Sequence, residues 1–209
     1  MGQFSDDGQW WWDGTQWIAT SQVVLWDLPM TEFEQSGKLK AARSFMRNGS
    51  LLLWANTFFL VAVALFVPVL RALRDYRSWR LEQLALATAY LLGPNEAMLA
   101  GETSVSDFPI TRNYVRRDLA VAVTAAHVLV FCIDFLDGQP RWIVLAGRPT
   151  DVSMELRTGA FGLYRALTIS RRHEQWAIRG SPLMFTGFKP KPVLEAWRLA
   201  ATTTASTKP

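Results

Sequence analysis

The sequence predicts an α+β chain in three parts: an N-terminal tryptophan hairpin, one transmembrane helix, and a C-terminal antiparallel β-barrel or sandwich capped by a helix. Three observations carry this expectation. Four of the ten tryptophans fall in "DGQWWWDGTQW", residues 7–17; Leu51–Leu70 carries no charged residue; and from Leu119 to Gly180 short β-branched and aromatic runs alternate with turn residues.

A chain of 209 residues has room for one ordinary domain with additions. At 50% hydrophobic and 19% charged it is more apolar than a typical soluble domain. The single cysteine, Cys132, excludes an intrachain disulfide, and the two histidines, His127 and His173, stand too far apart in sequence to suggest a zinc cluster. The formal charge of +4 is mildly basic, compatible with plain solubility or with an anionic surface. Nucleic acid is not indicated, because the aromatic residues do not interleave with the basic ones.

In chain order, Asp13-Gly14 is a two-residue hairpin signal flanked by Trp10, Trp12 and Trp17. Two readings of Trp10, Trp11, Trp12 and Trp17 stand. Cross-strand aromatic pairs, about 0.2–1 kcal/mol each, supply a miniature core for an otherwise marginal hairpin. Alternatively, exposed rings dock a partner or a membrane interface, with Asp13 and Gly14 completing the motif. Residues 29–49 read as an amphipathic linker helix that opens with Thr31 and Glu34 as a capping box. Its Lys38, Lys40, Arg43 and Arg47 face headgroups if it lies flat on a bilayer; otherwise it is a connector.

Residues 50–72 read as the transmembrane helix, because the uncharged run reaches about 30 Å as a helix. Asn56 within it is suited to a bond across to a partner helix, and Pro68 lies near its far end. The long polar stretch ahead of it makes an anchor rather than a cleaved signal. Basic residues flank both ends, so orientation is tied. Arg71, Arg74, Arg77 and Arg80 are expected to form a collar for acidic headgroups on a juxtamembrane helix, residues 73–93, with Tyr76 and Trp79 at the interface and "GPN" as its stop.

"LAVAVTAAHVLVFCIDFL" divides into two buried strands near "TAAH", and "RWIVLAG", "DVSMEL", "ALTISRR" and "EQWAIRG" continue the strand pattern. Pro192 then opens a helix with Val193, Leu194, Trp197 and Leu199 or Ala200 on one apolar face. The tail from Thr202 to Pro209 is polar and expected to be disordered.

Taken together, "GPNEAMLAGETSV", "LAVAVTAAHVLVF", "DVSMEL", "ALTISRRHEQWAIRG" and "VLEAW" resemble the bacterial pleckstrin-homology-like or GRAM-like domain over residues 94–201. The resemblance implies a strand meander closed by a helix and a cytoplasmic location. It also implies a phosphate-holding loop between the first two strands, where Arg112, Arg116 and Arg117 would contact lipid; the other reading is a loop that is merely solvated or drawn toward a nearby anionic bilayer. Ala125–Val128 departs from the Asp-Arg that such domains carry after the Thr. The opening stretch is similar to a "WWDGxxW" motif found ahead of transmembrane segments in bacterial membrane proteins. Together these imply a single-pass protein of the cell membrane with the hairpin outside.

Catalytic patterns are missing from the sequence. "RTGAFGLYR" has Gly159 and Gly162 without the Lys-Ser/Thr of a phosphate loop, and there is no G-x-S-x-G elbow. His127 is expected in a buried strand, His173 in a solvated turn and Asp134 at a strand end. The expectation is therefore a non-catalytic scaffold or accessory subunit with no cofactor, metal, nucleic acid or small-molecule substrate. Its partners would be a lipid bilayer and either a protein or a second copy of the chain. An anionic-lipid sensor and an unrecognised enzyme are the alternatives.

Overall fold

The computed structural model describes residues 2–25, 28–30, 32–37, 40, 59–104, 118–133, 139–158, 165–180 and 188–206. Three small antiparallel sheets and two substantial helices form these residues. The first sheet joins β1 (Gln3–Phe4), β2 (Trp10–Trp12) and β3 (Trp17–Ala19) in that order. After α1, a single turn at Glu32–Gln35, comes the long helix α2, Phe59–Leu92. The second sheet is a meander of β4 (Ala100–Thr103), β5 (Asp118–Val123), β6 (Val128–Ile133) and β7 (Pro140–Gly147). The third is β8 (Ser153–Thr158), β9 (Arg165–Arg171) and β10 (Glu174–Gly180), and helix α3, Pro190–Ser206, follows it.

The second sheet divides two cores. Successive strand side chains point to opposite faces, and here each face has its own apolar set. Ala120, Ala122, Leu129, Phe131, Ile133 and Ile143 pack with Phe4 and Trp11 of the first sheet and with Leu84, Ala87 and Leu91 of α2. Val121, Val123, Val128, Val130 and Leu145 pack with Met154, Leu167, Ile169 and Ile178 of the third sheet and with Val193 and Ala200 of α3. Because both faces are covered, every residue of β6 is buried. This accounts for an unbroken apolar run where a half-exposed strand would alternate with polar residues.

Helix α2 overturns the expected membrane architecture. Residues 50–58 lie outside the described residues, and from Phe59 the chain is one continuous helix through Pro68 and the four arginines to Leu92. Among the described residues no helix is long and apolar enough to cross a membrane. The expected transmembrane helix is therefore corrected. The physical reason is visible in the second half of α2, which is a core helix rather than a juxtamembrane one. Trp79, Leu84, Ala87 and Leu91 are fully buried, and Gly101 brings β4 against the Leu84 side chain. Trp79 and Tyr76 stack with ring centroids 5.4 Å apart inside the protein, not at a lipid interface. The helix ends at Gly93, whose positive φ of 86° and N–H bond to the Ala89 carbonyl, 2.8 Å, form a left-handed stop ahead of Pro94.

Three smaller corrections follow. The N-terminal unit is three-stranded, and β2 and β3 are joined by the four residues Asp13–Gln16 instead of a two-residue turn. Helix α3 begins at Pro190, two residues before Pro192. It also runs through the expected disordered tail as far as Ser206, with the hydroxyls of Thr202, Thr203 and Thr204 bonding back to carbonyls one turn earlier.

Candidate functional site

The first sheet is fastened to the rest of the protein through its inner face. In β2 the side chains alternate, so Trp11 points inward while Trp10 and Trp12 point outward. Trp11 is only 7% exposed, and its indole N–H donates to the Leu91 carbonyl at the end of α2, 3.0 Å. That carbonyl is one of the groups a helix leaves unsatisfied at its C-terminus, so the bond serves both partners. Phe4 and Ile18, directly opposite Trp11 on the flanking strands, join the same apolar cluster. At the β1–β2 turn Gly8 adopts φ 63° and lies so close to the Ala146 carbonyl that a Cβ would collide with it, while Asp6 pairs with Arg148. Beyond β3, Val24 bridges to Trp142 and the Leu25 N–H donates to the Arg141 carbonyl, 2.9 Å.

The outer face of the same sheet is aromatic and open. Trp10 is 48% exposed and Trp17 is 47% exposed. Trp12 and Trp17 are direct cross-strand partners with ring centroids 5.5 Å apart, tilted by 53°, and Gln3 lies opposite Trp12 on the other side. Each end of β2 carries a carboxylate, exposed at Asp7 and partly buried at Asp13. Asp13 begins the β2–β3 loop, and its Oδ1 accepts bonds from the N–H groups of Thr15 (2.6 Å) and Gln16 (2.8 Å) and from the Thr15 hydroxyl. Asp7, in the β1–β2 turn, accepts from the Ser5 hydroxyl at 2.6 Å and the Gln9 N–H at 3.0 Å. The Gln16 N–H and then the Thr15 hydroxyl hold the Asp13 carboxyl below the usual carboxylate range. For Asp7 the Ser5 hydroxyl and then the Gln9 N–H act in the same direction.

The expected arginine collar divides. Arg71 and Arg74 are exposed, Arg74 at 3.9 Å from Asp75. Arg77 and Arg80 instead turn into the protein. Arg77 pairs with the fully buried Glu102 at 3.0 Å, and Arg80 pairs with Asp118 at 3.5 Å beneath the Tyr76 ring. Glu102 also accepts the Lys189 N–H, 2.6 Å, at the start of α3, and the Thr103 N–H, 3.0 Å. One carboxylate thereby ties α2, β4 and α3 together. Arg112, Arg116, Arg117 and Asn56 lie outside the described residues.

His127 is not in a strand: it closes the β5–β6 turn. There its Nδ1 lies 2.7 Å from Glu96 Oε1, the Phe4 ring lies 5.9 Å away, and Thr124 donates its hydroxyl to the same Glu96 oxygen. Burial pushes the Glu96 carboxyl up, and the His127 and Thr124 bonds outweigh it and hold it below its ordinary value. The Thr124 hydroxyl is spent on Glu96 and on the turn backbone, not on an imidazole nitrogen, so the trio lacks the nucleophile–base bond of a catalytic site. Among the described residues no group of three His, Cys, Asp or Glu is placed to hold a metal ion. Sequence reasoning missed Glu96 and Asp7. The Ser5, Asp7 and Gly8 spacing is a turn signal that marks Asp7, whereas nothing local marks Glu96 as a partner of His127.

No protein-family model matches this chain, and no curated protein matches it.

Proposed function

We propose that this chain is a non-catalytic interaction module that docks a partner protein on the outer aromatic face of its N-terminal sheet. One observation carries the reading: Trp10 and Trp17 stay about half exposed on a sheet whose opposite face is anchored by the buried, hydrogen-bonded Trp11. The open rings are thus held in place by the molecule's own core, and rigid aromatic anchors of this kind dominate binding energy at protein interfaces. The third sheet and α3, behind the second sheet, form the support. A four-strand meander, a three-strand meander and a closing helix are compatible with the pleckstrin-homology-like resemblance, while the functional reading rests on the aromatic face and not on that fold.

The test is affinity capture from the source cell with the full chain and with Trp10→Ala/Trp17→Ala. A partner recovered by the wild type and lost with the double variant, which still unfolds cooperatively, is the expected result. Identical partner sets for the two proteins would remove the proposal.

A further inference from the structure

We infer that the aromatic face takes a cationic, arginine- or lysine-rich segment of its partner, an inference that rests on reading the face as an interaction surface. Charge on the first part of the chain is one-sided. Its carboxylates are Asp6, Asp7, Asp13, Asp27, Glu32 and Glu34, and all 22 lysines and arginines follow Gly37. Of the carboxylates near the face, Asp6 is paired with Arg148, while Asp7 and Asp13 stand at opposite ends of β2: Asp7 is exposed with Arg171 near enough to favour its charge, Asp13 is partly buried, and the bonds of their own turns favour the ionised form of both.

Between them lie three tryptophans, the side chain whose ring face attracts a cation most strongly. Arginine adds stacking of its flat guanidinium on such rings. The spacing is that of an extended peptide: Trp10 and Trp12 are two residues apart on one strand, about 7 Å. Cationic side chains at alternate positions of an extended segment span the same distance, one toward the Asp7 end and one toward the Asp13 end. An anionic bilayer or acidic peptide would meet negative charge at both ends of β2, offset by Arg148 and Arg171 at the Asp6–Asp7 end and by no basic residue of this sheet at the Asp13 end.

The experiment uses the full chain and three short synthetic peptides of equal length, with lysine and arginine at alternate positions, glutamate at those positions, or serine at those positions, read by tryptophan fluorescence and calorimetry. Vesicles of phosphatidylcholine alone and with phosphatidylserine run in parallel. Only the cationic peptide should bind appreciably. Trp10→Ala/Trp17→Ala should weaken it about tenfold, two exposed cation–ring contacts at about 0.5–1 kcal/mol each. Asp7→Asn/Asp13→Asn keeps an acceptor oxygen in each turn and should weaken it several-fold, a difference that shrinks as salt rises.

Equal binding of the three peptides, or affinity for the cationic one that neither double variant changes, overturns the assignment. If a captured partner still depends on Trp10 and Trp17 in that case, the interaction reading survives and only the charge class fails; if it does not, both fail. Tryptophan-dependent binding to vesicles without peptide binding overturns the assignment in favour of a lipid surface. Tryptophan-dependent self-association in sedimentation does so in favour of a second copy. Cooperative thermal unfolding and a wild-type circular dichroism spectrum in both variants certify that folded proteins are being compared.

Discussion

The second sheet and the N-terminal sheet are both strongly apolar, but the first is covered on two faces and the second on one. In β5 and β6 every apolar residue meets a partner, on one side from α2 and the tryptophan sheet, on the other from the third sheet and α3. In β2 only Trp11 does; its neighbours on the strand stay partly or half exposed. Hydrophobic character therefore does not decide burial here; the presence of a covering layer does. A face that the described residues leave uncovered, although it holds some of the largest apolar side chains in the chain, is the surface on which the proposed docking rests.

The sharpest way to break this contrast is at its anchor. Trp11→Ala removes a buried indole and its bond to Leu91 and should destabilise the protein by about 3–5 kcal/mol. Urea denaturation followed by circular dichroism measures it. A loss below about 1 kcal/mol, within the range of ordinary surface substitutions and small defects, would mean that the tryptophan sheet is a detachable addition and not part of the core.

Next in size is the buried carboxylate that joins the layers. Glu102→Ala leaves Arg77 and the Lys189 N–H without their acceptor and should cost about 3 kcal/mol. Glu102→Gln retains an acceptor oxygen and should cost less. If the two variants were equally stable, the ion pair and the tie to α3 would carry no net weight.

How much of this could be read in the sequence follows from range. The strands from Leu119 to Gly180 were readable because alternation, β-branching and turn residues are local signals, and so was the break at Thr124–His127. The function of the apolar run was not. An uncharged stretch satisfies a bilayer and a helix that continues into a protein core equally well, and what separates them is whether Leu84, Ala87 and Leu91 further along meet a sheet. The same limit applies to the arginines. Arg77 and Arg80 have the spacing of a headgroup collar, but their partners Glu102 and Asp118 lie 25 and 38 residues ahead in sequence and come close only through the fold. At the N-terminus the opposing carboxylates of the candidate site were half legible. Asp13-Gly14 announced a turn, yet bonds from the Thr15 and Gln16 N–H groups to the Asp13 carboxylate make a four-residue loop. A strand as short as Gln3–Phe4 gives no periodicity from which the third strand could be inferred.

A smaller effect reports on the junction where Phe4 of the first sheet meets the β5–β6 turn. The Glu96 carboxyl, held below its ordinary value of 4.5, binds protons less readily folded than unfolded. Its contribution to stability is therefore present above about pH 4.5 and is lost as pH falls through the lower folded value. Since the group is partly solvated, the expected effect is a modest loss on the acid side. Glu96→Gln should flatten that part of the stability profile in urea titrations at pH 3–6. An unchanged acid limb would show that the His127 and Thr124 bonds are not what favours the ionised form.

The smallest predicted effect on stability belongs to the outer face. Trp10→Ala should change stability by no more than about 0.5 kcal/mol, because the ring is about half in water already and its strand is held by Trp11. Set beside the loss expected for Trp11→Ala one position away, this near-zero value tests the two-faced account directly, since both substitutions delete the same side chain from the same strand. Comparable losses at the two positions would make the outer tryptophans structural, and the argument that their exposure signals a partner would fail with them.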